Sequence, residues 1–269
     1  MDYSSEIQTW RKNYEQQLSA PDSWLAISAL VWLKEGENRF GTDPTSEVVL
    51  PPKSAPRLAG IFRYQQGEVT LEAAPGTKMT INDEAISSRV IKLNDFGASE
   101  WIVLNDLKIS IIQRGVRMGA RIYDKNNPAR KAFASLRWFP IEEAYHLEAN
   151  FIPFDTPRMI PITNVIGDTS EEACPGRVEF VWNKQPCRLY PLTDGDGLWF
   201  IFKDASNGVM TYAGGRYMST DGPKDGKVIL DFNKAHNPPC AYTDFATCPM
   251  PSEENRLSAP IMAGEFKFH

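Results

Sequence analysis

Apolar positions follow a clear helical period at the start of the chain. Ile7, Trp10, Tyr14 and Leu18 recur three to four residues apart over 3–19, and Ser4 or Ser5 stands ready to cap the start. Pro21-Asp22 breaks that helix. The apolar run Trp24 to Leu33, capped by Asp22 or Ser23, then reads as a second, buried helix ending near Gly36. Residues 1–36 are thus expected as an N-terminal helix pair. From residue 38 the pattern changes to short strands at 47–50, 60–64, 68–72, 79–81, 86–92, 100–104, 108–113 and 117–123. Turn pairs separate them: Gln66-Gly67, Pro75-Gly76, Asn82-Asp83, Asn105-Asp106 and Arg114-Gly115. This spacing predicts a β-sandwich over 37–124.

Residues 125–140, with one basic helical turn after Asn127-Pro128, read as a crossover. Strands are expected again at 145–153, 160–167, 177–182, 186–190, 197–203, 209–218, 226–231 and 259–267. The fold class is therefore mainly β, with a second antiparallel sheet or barrel-like domain over 141–269. Its aromatics, among them Trp182, Trp199, Phe200, Phe202, Tyr217 and Phe232, are mostly core candidates.

Composition narrows the function classes. The 269 residues are 42% hydrophobic and 23% charged, with a formal net charge of -5. A pI near 5.4 argues against general binding to nucleic acid or an anionic membrane. No apolar run approaches the ~20 residues of a membrane span. Met1 to Glu6 lacks the basic and apolar regions of a secretory signal, so a cytoplasmic location is expected. There the four cysteines, Cys174, Cys187, Cys240 and Cys248, are read as free thiols. No cofactor is expected, because the chain has no nucleotide-binding glycine loop, no His-Glu-x-x-His and no Gly-x-Ser-x-Gly.

Candidate chemistry collects in the second half. Asp204 to Gly208 reads as a turn, and Gly214-Gly215 as a bulge or close approach inside a strand, aiming Tyr212 and Arg216 into a shared space. Arg216 can fix a carboxylate or phosphate, or else pair with Asp204 or Asp231 to hold the loop. Tyr212 can donate a hydrogen bond or a proton. The stretch 231–256 is irregular, proline-rich and dense in competent side chains. Asp231 and Asn233 can satisfy backbone donors or meet a ligand. Asn237, Cys240 and Asn255 join them as binding candidates, and Glu254 is a candidate acid or base beside Tyr212. Cys240 and Cys248, separated by seven residues, depart from common zinc spacing. With His236 and Asp231 they can form a mixed metal site, or Cys240 can serve as a nucleophile activated by His236. Two functions follow. One is binding of a small polar or anionic molecule in the C-terminal domain, with acid/base chemistry if it reacts. The other is a non-catalytic protein interaction through the sandwich.

Two resemblances bear on these readings. The first half resembles a forkhead-associated sandwich, with Gly41, the Ser54 to Phe62 segment and Met79-Thr80-Ile81-Asn82-Asp83 in the corresponding places. That likeness implies a phosphopeptide contact at Ser54, Arg57 and Asn82. Thr42, Arg57 and Asp83, however, stand where that family has Arg, His and Gly. The whole chain resembles a bacterial and archaeal family catalogued as domain of unknown function 1684. The residues that carry this likeness are Gly36-x-Asn38-x-Phe40-Gly41, Phe202-x-Asp204-x-Ser206-x-Gly208, Thr211-Tyr212-x-Gly214-Gly215-Arg216-Tyr217, Asp231-Phe232-Asn233 and Asn237-Pro238-Pro239-Cys240. Cys248-Pro249 and Glu254-Asn255 complete the pattern, and His236 stands where the family commonly has Tyr. The resemblance implies architecture and supplies no reaction.

Overall fold

The computed structural model describes residues 2–268. The chain divides into two compact units, residues 17–133 and residues 1–16 together with 134–269.

The 17–133 unit is a β-sandwich. One sheet takes β1 (Ile27–Trp32), β6 (Met79–Ile81), β7 (Glu84–Ile86), β9 (Ile102–Leu104), β10 (Leu107–Arg114) and β11 (Arg117–Asp124), in the order β1-β11-β10-β9-β6-β7. The other takes β2 (Gly36–Gly41), β3 (Val48–Val49), β4 (Gly60–Gln65), β5 (Glu68–Ala73) and β8 (Ser88–Ile91), in the order β3-β2-β4-β5-β8. Phe40, Phe62, Leu71, Ile102, Ile109 and Ile122 from the two sheets meet in one core and are fully buried. Each such side chain contributes about 1.5–3 kcal/mol by leaving water. Asn82 and Asp83, at φ 52° and 63°, make the β6–β7 hairpin turn, which needs two residues in the left-handed region.

The expected helix pair reduces to one helix, α1 (Tyr3–Leu18). Trp24–Ala26 is a single 3-10 turn, and the run after it is β1, paired antiparallel with β11. A short continuous apolar run does not distinguish a buried helix from a strand. Here the open edge of β11 decided it.

The other unit holds two antiparallel sheets. β12 (His146–Thr163) and β13 (Thr169–Trp182) form a long hairpin, flanked by β14 (Gln185–Leu189) and β18 (Lys227–Asp231) in the order β14-β13-β12-β18. The register shifts between Pro153 and Arg158, where Pro153 and Pro157 cannot donate to the ladder. The second sheet is β15 (Leu192–Asp194), β16 (Gly197–Phe202) and β17 (Arg216–Thr220). Phe180, Phe200, Phe202, Leu230 and Phe232 lie in the core of this unit.

Two expected strands differ. Residues 209–215 form turns, and only Arg216–Thr220 enters the sheet. Residues 259–267 are irregular, because the carbonyls of Ile261 and Ala263 accept from the Arg216 guanidinium, and Gly264 has φ +77°. Among the described residues, no helix is long and apolar enough to cross a membrane.

Candidate functional site

The turn after β16 is built by short polar side chains. The Asp204 carboxylate accepts from the Ser206 amide at 2.8 Å and the Ile261 amide at 3.1 Å. Asn207 accepts from the Asp204 amide and donates to the Thr211 hydroxyl and the Tyr212 carbonyl. The second Asp204 oxygen takes Arg216 Nη2 at 2.6 Å, and both side chains are 0% exposed. Arg216 also donates to the carbonyls of Ala263 and Ile261, and its guanidinium lies 5.4 Å from the centre of the Phe202 ring. Of the two roles open to Arg216 in the sequence, this geometry matches the internal pair, and its charge is sealed from solvent. Gly214 and Gly215 lie in the turn before β17 rather than inside a strand. Close approach explains them, since a Cβ at 214 would strike the Tyr212 ring and one at 215 would meet Pro251 and the Phe202 carbonyl.

The asparagines and Asp231 are likewise held by internal partners. Asp231 accepts from the Asn233 amide and from the Tyr3 hydroxyl of α1. Asn233 donates to Tyr3 and to the Glu142 carbonyl and accepts from the Glu142 amide. Asn255 links two segments by accepting from the Tyr190 amide and donating to the carbonyls of Tyr190 and Ile201. Asn237 gives its backbone and side-chain N–H groups to Glu265, at 2.8 and 2.7 Å. Glu265, fully buried, also accepts from Tyr242 at 2.7 Å, and Tyr242 lies 3.3 Å from the Tyr14 hydroxyl. Burial pushes the Glu265 carboxyl up to about 7, against the pull of its three donors.

Sequence reasoning passed over Glu265, because it lies in a stretch expected as a strand and belongs to no motif. The usable signal was a lone acid in the otherwise apolar run Ile261-Met262-Ala263-Gly264-Glu265-Phe266.

His236 does not activate a thiol. Its Nδ1 faces the Lys234 carbonyl at 3.2 Å, and its ring packs on Tyr14 at 4.7 Å between centroids, with Trp10 and Tyr217 nearby. Loss of hydration among these rings pushes its pKa down to about 4, so it serves as a neutral aromatic. Among the described residues no three His, Cys, Asp or Glu side chains converge as a metal set.

Reactive groups come together at Cys240. Pro238 and Pro239 set up a 3-10 turn over Pro239–Ala241. It places the Cys240 amide 3.1 Å from Cys248 Sγ and the Tyr212 hydroxyl 3.6 Å from Cys240 Sγ. That hydroxyl is also 3.2 Å from the Cys240 carbonyl. Cys240 and Tyr212 are partly exposed, whereas Cys248 and Tyr217 are buried. A hydrogen bond from the Cys248 thiol, with a second from Tyr212, draws the Cys240 thiol down to about 7. The same Cys240 contact, added to burial, holds Cys248 far above the ordinary thiol range. Burial first, then proximity to Cys240, raises Tyr212, which therefore stays protonated as a donor. All four cysteines are free thiols.

Clefts on this unit include three that Cys240 does not line, one of them about 530 Å³ beside Asp196, Thr220 and Lys224. A second, of about 690 Å³, is bordered by Asp231, His146, Lys227 and Lys234. A third, of about 460 Å³, is bordered by Glu254, Arg188 and Arg256. Glu254 is exposed, and its carboxylate lies 4.0 Å from Arg158. It does not approach Tyr212 through any bond of either residue.

On the sandwich, the expected phosphate contacts have acidic or backbone partners within the unit. Arg57 pairs with Asp43 at 2.6 Å, Asn82 donates to Glu100, and the Ser54 hydroxyl donates to the Pro51 carbonyl.

The chain belongs to the family described as protein of unknown function DUF1684, whose model matches residues 131–266. An uncharacterised Haloarcula marismortui protein from gene locus rrnAC0354, with a solution NMR structure, is 30% identical at a TM-score of 0.43. The match covers 51% of this chain and 78% of that one. The structural neighbours also include forkhead-associated domains. The FhaA FHA domain, solved with the intracellular domain of Rv3910, is 16% identical at a TM-score of 0.25, covering 35% of this chain and 96% of that one. A chain from a structural study of phosphothreonine-dependent FHA domain interactions has the same identity and TM-score, covering 35% of this chain and 92% of that one. No curated protein matches the chain.

Proposed function

We propose that the C-terminal unit acts on a small polar molecule at the Tyr212–Cys240 rim, with Cys240 Sγ as the nucleophile and the Tyr212 hydroxyl as hydrogen-bond donor. The observation that carries this reading is the 3.6 Å approach of the Tyr212 hydroxyl to a partly exposed Cys240 sulfur, itself backed by Cys248. A thiolate is the reactive form of cysteine, and donors aimed at the sulfur raise its population near neutrality. Arg216 has no part in holding an anion, because its guanidinium is committed to Asp204 and two carbonyls. Tyr212, kept protonated, supplies a proton or a hydrogen bond rather than acting as a base.

The test is iodoacetamide alkylation of the reduced protein, followed residue by residue by peptide mass spectrometry. The Cys240 titration is set by hydrogen bonds from Cys248, Tyr212 and its own backbone amide, against burial; Asp244 acts only on Tyr212, and Tyr217 only on Cys248. Cys240 is expected to react first, with a rate that rises through a midpoint near 7. Cys174 and Cys187, whose thiols burial pushes upward, should lag far behind. Equal, slow reaction of Cys240 and the two buried thiols would remove the basis for the proposal.

A further inference from the structure

The geometry points to a dithiol exchange site: Cys240 attacks a low-molecular-weight disulfide, and Cys248 resolves the mixed disulfide to leave an internal Cys240–Cys248 bond. This rests on the nucleophilic reading of Cys240 and adds the substrate class and a second participating residue.

Three features support it. Exposure sets the order of events, since Cys240 is partly open to solvent whereas Cys248 is 4% exposed. Only the first is open to a solvent-borne disulfide. Contact then supplies the second step. The Cys240 amide already points at Cys248 Sγ at 3.1 Å, which brings the two cysteine side chains together. The two sulfurs are therefore neighbours across a short loop, whose closure costs little chain entropy.

Electrostatics makes the two steps sequential. The largest cause holding Cys248 protonated is its contact with Cys240. Once Cys240 carries a neutral mixed disulfide, no thiolate remains beside Cys248. The Cys240 amide is then left to stabilise a Cys248 thiolate, and burial is the main cause still opposing it.

The exchange balances. The Cys240 thiolate forms an S–S bond with one sulfur of the small disulfide, and the other sulfur leaves as a thiolate that takes a proton. The Cys248 thiolate then bonds to the Cys240 sulfur and expels the second small thiol. Both protein thiols are oxidised, and one disulfide is reduced to two thiols. Rates in such steps depend on thiolate fraction, the sulfur attacked and access.

The experiment exposes the fully reduced chain to oxidised glutathione and follows intact and peptide masses over time. The wild-type chain is expected to lose two hydrogens with the bond mapped to Cys240 and Cys248, and to retain no adduct. C248S should stop at one glutathione on Cys240, and C240S should show only the slow reaction of Cys174 and Cys187. A wild-type chain that keeps glutathione on Cys240 overturns the resolving role and leaves the nucleophile reading standing. Reaction of Cys240 no faster than Cys174 and Cys187, in both wild type and C248S, overturns both. The wild-type time course decides the matter without the variants, should either substitution disturb folding.

Discussion

Two Arg–Asp pairs in this chain have the same nitrogen–oxygen separation and opposite consequences. Arg57 meets Asp43 at 2.6 Å on the sandwich surface, with side-chain exposures of 82% and 22%. Arg216 meets Asp204 at 2.6 Å with both side chains at 0%. On the surface, water and salt compete for each partner, so losing the pair changes little. In the interior nothing else can solvate a stranded charge, so removing one partner costs what the pair was shielding. Distance alone therefore says nothing about importance. Surroundings decide, and the same contrast separates the sealed polar groups of the C-terminal unit from the open rim at Cys240.

The strongest challenge to that contrast is Arg216→Ala. It strands Asp204 and frees the carbonyls of Ala263 and Ile261. It is expected to cost roughly 3–5 kcal/mol and to lower the denaturant midpoint sharply. A midpoint near wild type would mean that the interior pair is no more consequential than the exposed one.

Glu265 gives a pH version of the same test. Its folded value near 7 lies above the ordinary 4.5, so in that window the folded chain binds more protons than the unfolded one. Its contribution is complete below about 4.5 and is lost as pH rises through 7, an effect of roughly 3 kcal/mol. His236, held near 4 against its ordinary 6.5, contributes the opposite slope below about 6.5. Denaturant titrations from pH 4 to 8 should therefore show the decline as a difference between wild type and Glu265→Gln, the variant gaining stability relative to wild type as pH rises. An unchanged slope in the variant would assign the decline to another group.

A smaller effect is expected at the rim. Tyr212→Phe removes one of the two donors to the Cys240 sulfur, so the alkylation midpoint should move above 7 while the unfolding midpoint barely changes. A midpoint that stays in place would leave Cys248 as the sole cause of Cys240 reactivity.

The least change is expected from Arg57→Ala, which breaks only the exposed pair. Its melting temperature should match wild type. A loss comparable to that of Arg216→Ala would erase the contrast between the two pairs.

Much of the sandwich was legible because its signals are local. Alternation and turn residues marked β4, β5, β6, β10 and β11 within a residue or two, since a hairpin turn such as Asn82-Asp83 encodes its own geometry. β1 reads as a helix in the sequence because the run Trp24 to Leu33, apolar except for Ser28, carries no period. The stretch 259–267 was misread as a strand because its carbonyls are taken by Arg216, more than forty positions earlier in the chain. The candidate site divides the same way. The motif residues were visible as a cluster, but which of them face water was not. Asp204, Arg216, Asn233, Asn237 and Asn255 are buried, whereas Tyr212 and Cys240 are partly open.

By itself, then, the sequence determined the mainly β class, the turn positions of the sandwich and the family of the chain, all of which rest on local residue chemistry and motif spacing. Only the tertiary structure decided that Arg216 serves Asp204, that Glu265 closes the network around Asn237, and that Cys248 backs Cys240. Those relations depend on burial and on contacts between segments distant in the chain. A side chain acquires its charge state and its partners from whatever the fold packs around it, and residue type and spacing do not record that.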